Sequence, residues 1–359
     1  MRILIATPDF PPAPGGIQVL IDQLARHLEA HETVVLTLRQ PGDHAFDRNL
    51  SYRVVRVPAP GRRPAVLALN GALPFVAARM RAEAVISGHI VCAPGALIAR
   101  RRLGVPVLQY VYAMELTARG KLAAAVLPRV DRTIAISEYA RGLAEARGAR
   151  PELTRTVKPG VDEPPPVLVG ARNQLIVTVA RLQDRYKGFD VMLRALPLIL
   201  ARVPEAQWVI LGDGPLHPEL LATANRAGIG SRVRFLGQTS NRVRDEWLAR
   251  ARVFAMPSRV PPGGAGEGFG IVFLEAGRFG VPAVSGAEGG AAEAVLDGVS
   301  GTLVDPRDHL AVADAISDLL TDDELQRRYG AAARSRAAEL SWEQMARGVE
   351  TMLEDAVRP

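Results

Sequence analysis

Residues 157–166 read VKPGVDEPPP. The three consecutive prolines, Pro164 to Pro166, lack amide protons and have a fixed φ, so they join neither a helix interior nor the middle of a sheet. The decapeptide is a connection between domains, and the fold is decided by what lies on each side of it. Before it, short β-branched runs at 2–6, 32–37, 52–57, 84–87, 106–111 and 132–136 alternate with amphipathic stretches at 16–30, 66–81, 94–103, 118–127 and 138–147. After it the alternation restarts. Strands are expected near 175–180, 207–211, 232–236, 252–256, 282–285 and 301–304, with helices near 188–202, 216–227, 241–250, 271–279, 308–321 and 324–339. Such alternation predicts parallel βαβ units and open, doubly wound sheets. The expectation is an α/β chain of two Rossmann-like domains, 1–160 and 161–340, facing each other across a central cleft. Ser341-Trp-Glu-Gln344 reads as a capping box opening a last helix, so 341–359 is expected to pack back toward the N-terminal domain. The 359 residues exceed what one ordinary core accommodates. No short-period repeat supports a solenoid.

Composition narrows the function classes. With 48% hydrophobic and 23% charged residues, the chain is globular. Cys92 is the only cysteine, which rules out an intrachain disulfide and a four-cysteine metal site. The six histidines show no paired metal-ligand spacing, so no metal is expected. Charge is uneven: residues 1–160 carry 22 Lys+Arg against 12 Asp+Glu, and residues 161–359 carry 22 against 26. A net +10 in the first half could face an anionic acceptor or membrane, or simply distribute arginine over solvated surface. Only Lys121, Lys158 and Lys187 are lysines, so a lysine inside a motif carries weight. Met1 leads directly into strand-like sequence rather than a signal peptide, and no apolar run reaches the ~18 residues of a membrane span. The expected location is cytoplasmic.

Ligands of such sheets bind beyond the carboxyl ends of the strands, and three loops there carry chemistry. In GEGFGIVFLEAGRFGVPAV, residues 266–284, Glu267 and Glu275 stand in a largely apolar, glycine-rich segment. The glycines let backbone approach a ligand, and the following helix start offers unpaired amides to an anion. Carboxylates suit hydroxyl pairs; the plain alternative is one capping and one surface glutamate. Arg181 and Lys187, in the loop after the strand ending at Val179, can neutralise a diphosphate as charge develops on it. Gly15 and Gly16 open the first helix with further backbone donors. Neither GxGxxG nor GxxxxGK[ST] occurs, so a simple dehydrogenase or P-loop ATPase lacks support.

These loops, together with Ile136-Ser-Glu138, Pro159-Gly-Val-Asp162, Gly212-Asp-Gly-Pro215, Phe235-Leu-Gly237, Pro257-Ser258, Gly289-Gly290 and Asp297-Gly298, resemble a GT-B glycosyltransferase of the retaining family 4 over essentially the whole chain. The resemblance implies that Arg181, Lys187 and the Gly16 backbone hold the diphosphate of a nucleotide-sugar. It places Glu267 on the transferred sugar and Glu275 on the ribose, the backbone of Phe269, Gly270 and Ile271 on sugar and phosphate, and Leu236, Gly237 and Gln238 beside the base. It implies a UDP- or GDP-sugar as substrate, no cofactor or metal, a hydroxyl-bearing acceptor (glycan, lipid or small molecule), no nucleic acid, and transfer of a hexose by front-face displacement. One departure stands out. Where the family pattern is H-G-x-E, this chain has Tyr112-Ala-Met-Glu115, making Tyr112 a changed sugar or acceptor contact beside Glu115. His89 lies at the same sheet edge, as an acceptor-side group or as an ordinary surface histidine. Tyr112 keeps open a nucleotide-sugar-binding protein without transfer; a GT-B epimerase shares the architecture. A two-carboxylate glycosidase would have no use for Arg181, Lys187 or the glycine loops. Residues 62–81 and 119–129 have basic ends and apolar middles, which suit either core helices or peripheral contact with the anionic inner face of the cell membrane.

Overall fold

The computed structural model of the chain describes residues 1–58, 61–166 and 173–357. Met1–Pro159 with the C-terminal helix Trp342–Val357 packs as one compact unit, and Gly160–Ser341 as another. In the first unit seven strands run parallel: β1 (Arg2–Ala6), β2 (Glu32–Leu38), β3 (Arg53–Val57), β4 (Ala84–Ser87), β5 (Val107–Val111), β6 (Arg132–Ala135) and β7 (Thr154–Thr156), in the order β3-β2-β1-β4-β5-β6-β7. In the second unit β8 (Leu175–Val179), β9 (Gln207–Leu211), β10 (Val233–Phe235), β11 (Val253–Met256), β12 (Ala283–Gly286) and β13 (Gly301–Val304) order as β10-β9-β8-β11-β12-β13. The burial patterns explain why these strands were legible. Every residue of β4, β5, β11 and β12 is buried, as expected of parallel strands covered by helices on both faces.

Each sheet reverses its strand order once, between β1 and β4 and between β8 and β11. The crevice outside the carboxyl ends at such a reversal is where open α/β sheets take ligands. In the first unit it is flanked by the loops after Ala6 and Ser87, and in the second by those after Val179 and Met256.

Three local expectations need correction. The helix expected over 118–127 is two pieces, Ala113–Ala118 and Gly120–Val126, broken at Arg119. Gly120 sits at the break, where a Cβ would lie 2.8 Å from the Arg147 guanidinium. The helix expected over 66–81 begins earlier, as Arg62–Arg79, and retains Pro74. The three-residue strand β7 and the short helix Asp43–Asp47 were absent from the sequence reading, being too brief to show a period.

Candidate active site

The loop after β8 ends in the one-turn helix Arg185–Lys187, and Gly188 then turns the chain at φ 82° into the helix Phe189–Arg202. A side chain on Gly188 would meet the Pro257 carbonyl oxygen at 2.2 Å, so only glycine lets this loop lie against the one after β11. The two are stitched together where Arg259 N donates to Tyr186 O at 2.8 Å. The tight turn after β9 serves the same end. Cβ atoms on Gly212 and Gly214 would lie 2.0 Å from Ala180 O and 2.6 Å from the Leu182 carbonyl.

Lys187 and Glu267, distant in sequence, form an ion pair. Their side chains are only 11% and 17% exposed, so the pair is largely withdrawn from water. The Lys187 ammonium also lies 5.2 Å from the centre of the Tyr186 ring, and burial followed by the Glu267 charge pushes the Tyr186 phenol well above its ordinary value. Arg181 stands apart from that pair, 55% exposed and 3.1 Å from Asp184.

Glu267 is positioned by its own backbone. Gly290 N donates to Glu267 O at 2.8 Å, and Val260 N donates to Glu288 Oε2 at 2.7 Å. The loop after β11 is thereby clamped to the one after β12. Gly270 adopts φ 89° to start the helix Ile271–Gly277. Among the described residues, the amides of Gly268 to Val272 donate to no protein acceptor, as befits the free first turn of a helix.

Glu275, inside that helix, has found a cation. Arg244 Nη1 lies 2.9 Å from its Oε1. Burial raises the Glu275 carboxyl above its ordinary value, while Arg244 and Arg278 pull it back. Both ion-pair partners come from other elements, whereas Arg278, three residues after Glu275, pairs with Asp245. Lys187 had been marked. Arg244 had not, because one arginine in an arginine-rich helix carries no motif. Leu236, Gly237 and Gln238 follow β10, with Gly237 O accepting from Gly212 N at 2.9 Å and Gln238 exposed.

In the first unit Gly15 precedes and Gly16 begins the helix Gly16–His27. The preceding loop is fixed from beneath by Arg56, whose Nη2 donates to Pro11 O at 2.7 Å and to Asp47 Oδ1 at 2.8 Å. Tyr112, His89 and Glu115 gather at the ends of β4 and β5. Glu115 accepts from the amides of Ile90 at 2.7 Å and Tyr112 at 3.1 Å. The His89 ring sits between two carboxylates, with Nδ1 3.1 Å from Glu115 Oε2 and Nε2 3.8 Å from Asp9 Oδ2. Asp9 was not singled out from sequence. Burial raises the Glu115 carboxyl despite His89 and the two amides. Burial, with Tyr110, Glu115 and Asp9 nearby, also pushes the Tyr112 phenol well above its ordinary value. Tyr112 stacks on Tyr110 with centroids 5.3 Å apart, and its hydroxyl has no partner among the described residues.

Two parallel Rossmann-like sheets, with glycine-rich loops and largely buried carboxylate–cation pairs beyond their strand ends, place the chain in the GT-B class of glycosyltransferase. The profile of the family "Glycosyltransferase Family 4" matches residues 14–163, and that of "Glycosyl transferases group 1" matches residues 165–336. The chain belongs to this family and is a glycosyltransferase using a nucleotide-sugar donor. It is 35% identical, over 99% of its length and all of the relative's, to the GDP-mannose-dependent alpha-(1-6)-phosphatidylinositol monomannoside mannosyltransferase of Mycobacterium tuberculosis H37Rv. It is 30% identical, over 92% of its length and 89% of the relative's, to the D-inositol 3-phosphate glycosyltransferase of Xylanimonas cellulosilytica. Among solved structures, Anabaena Alr3699/HepE in complex with UDP-glucose has the same fold, with a TM-score of 0.84 at 21% identity, covering 99% of this chain and 100% of that one.

Proposed function

We propose that the chain is a retaining mannosyltransferase that moves mannose from GDP-mannose to a hydroxyl of an inositol-containing lipid acceptor. The observation that carries the transfer chemistry is the Lys187–Glu267 pair, set beside the unengaged amides of residues 268–272. The mannose and inositol parts rest on likeness to the relatives named above.

In this reading Lys187, Arg181 and the amides take up the charge of the departing diphosphate as it develops. Glu267 holds sugar hydroxyls and Glu275 those of the ribose. The bond from the anomeric carbon to the phosphate oxygen breaks, and the acceptor oxygen bonds to the same face. The acceptor's proton passes to the leaving phosphate oxygen. No carboxylate becomes glycosylated, and Lys187 and Arg181 supply the charge compensation.

The acceptor would come to the enzyme on a membrane. The helix Arg62–Arg79 turns Ala65, Leu69, Leu73 and Ala77 into the core and leaves Leu67 and Phe75 75% and 68% exposed. Residues 62–82 hold four arginines and no acid, which suits an anionic lipid surface. The second basic–apolar segment offers no such face, since Ala123, Val126 and Leu127 are buried. Among the described residues no helix is long and apolar enough to cross a membrane.

Melting-temperature shifts with GDP, UDP and GDP-mannose, followed by donor hydrolysis and transfer assays, test the reading. Binding to the folded state raises the midpoint in step with affinity. Lys187→Ala and Glu275→Ala should abolish the GDP-mannose shift, and Glu267→Gln should keep nucleotide binding while losing turnover. Normal binding and turnover in all three would overturn it. Tyr112 at the family's histidine position motivates a second reading, a binder without transfer, which predicts a full shift and no donor hydrolysis.

A further inference from the structure

We propose that Arg244 is a positioning residue for the nucleotide, orienting the Glu275 carboxylate and supplying its counter-charge so that one oxygen stays available to ribose hydroxyls. The inference rests on the reading of Glu275 as the ribose-binding group and adds a residue that the sequence motifs do not mark.

The geometry is specific. Ser240 caps the helix Asn241–Arg250, its Oγ accepting from Val243 N at 3.4 Å. From this helix Arg244 spreads its guanidinium between two carboxylates. Nη1 meets Glu275 Oε1 at 2.9 Å, while Nε and Nη2 meet Asp245 Oδ1 at 3.2 and 3.1 Å. Asp245 also accepts from Arg278 Nη2 at 2.8 Å, and Arg278 Nη1 reaches Asp162 O at 3.3 Å. The four side chains are only 7% to 19% exposed. Arg244 uses Oε1 of Glu275 and leaves Oε2 free for a ligand. A planar, rigid fork can serve both acids at once; an ammonium is a point charge and cannot hold the same plane.

Without the guanidinium, burial would raise the carboxyl further and favour its protonated form. Its strongest interaction with a hydroxyl, a charge-assisted one, would then be lost. The charged groups acting on Glu275 are Arg244, Arg278, Asp245 and Asp162. The helices Ala291–Ala294 and Asp323–Glu339 also pack on Ile271–Gly277. Their Glu293 and Arg336 are joined to each other, Arg336 Nη2 donating to the Glu293 carbonyl at 3.4 Å.

The test uses whichever of GDP and UDP gives the larger melting shift, together with its 2′,3′-dideoxy form. Dissociation constants are measured calorimetrically at pH 6 and pH 8.5 for the full chain and for Arg244→Met, Arg244→Lys and Glu275→Gln. The parent protein should prefer the ribose form by about tenfold or more, the worth of one charge-assisted hydrogen bond. In Arg244→Met most of that preference should vanish, and the loss should be greater at pH 6 than at pH 8.5, because a raised carboxyl is less ionised at the lower pH. Arg244→Lys should fall between. Equal weakening of both ligands at both pH values, or an unchanged preference, overturns the assignment. If Arg244→Met does not fold, Arg244→Lys decides: a preference equal to the parent's at pH 6 sinks it. Glu275→Gln separates the two layers. Loss of preference there with retention in Arg244→Met removes only the role of Arg244. Retention in Glu275→Gln, or no preference in the parent, removes the ribose reading and the inference with it.

Discussion

Gly290 shows how one missing side chain holds the loop that bears Glu267. A Cβ at this position would lie 2.0 Å from Gly268 O and 2.4 Å from Gly268 C, closer than any contact allows, and the obstacle is backbone that cannot swing aside. Gly290→Ala must therefore push the 267–269 segment away from the Gly289–Gly290 turn, at a cost of about 1–3 kcal/mol typical of overpacking. We expect a lower melting temperature and a fall in donor turnover larger than the loss of nucleotide affinity, because Glu267 moves while Lys187 and Glu275 stay. A variant that melts and turns over like the parent would refute this. The glycine pair was visible in the sequence, but its reason was not, since Gly268 lies more than twenty residues earlier. The same holds for Glu275. Its counter-ion comes from a separate helix, and spacing along the chain cannot show a contact made through the fold.

At the scale of elements the sequence was far more open. Parallel strands buried on both faces appear as unbroken β-branched runs, which is why β1, β2, β4, β5 and all six strands of the second unit stand close to their expected spans. Legibility fails at β7, whose Thr154-Arg155-Thr156 offers no apolar run to mark it, unlike the equally short Val233-Arg234-Phe235 of β10. One element joint yields a stability prediction. Asp131, before β6, accepts from Arg100 Nε at 2.7 Å and from Val107 N at 2.8 Å, tying the start of β5 to the helix Ala93–Leu103. Burial would raise its carboxyl, but the bonds from Arg100 and Val107 outweigh burial and hold it below the ordinary 3.8. A depressed folded value means the stabilisation is present above the unfolded value and is lost as pH falls through the folded one. Asp131→Asn should thus cost about 1–2 kcal/mol at neutral pH, and its deficit relative to the parent should shrink steadily below pH 3.8. A deficit independent of pH in urea titrations would contradict this. The exposed face of the helix Arg62–Arg79 gives a second prediction. Co-sedimentation with vesicles should require anionic lipid, weaken with added salt, and drop several-fold in Leu67→Ser/Phe75→Ser. Binding that ignores lipid charge, or survives the double change intact, would end the membrane assignment.

Across the whole molecule, the two units are not two consecutive stretches of chain. The helix Trp342–Val357 belongs to the first, where Trp342, Met345, Val349, Met352 and Leu353 are buried, and it packs against the helix Gly16–His27 and against β5 and β6. His31 Nε2 reaches Glu350 at 3.3 Å across the same contact. A chain ending at Ser341 should keep the second unit's cooperative melting and its nucleotide-induced shift. Its first unit, with that apolar surface uncovered, should melt early and bind a hydrophobic dye. Identical melting of the truncated and full chains would show that the helix is dispensable. Because the polypeptide quits the first unit at Pro159 and rejoins it only at Trp342, a nascent chain emerging from the ribosome completes its second unit while the first still lacks its closing piece. Full burial of the first unit thus waits on codons translated after the whole of the second, so a stop codon falling just past Ser341 spares the second unit and leaves the first open.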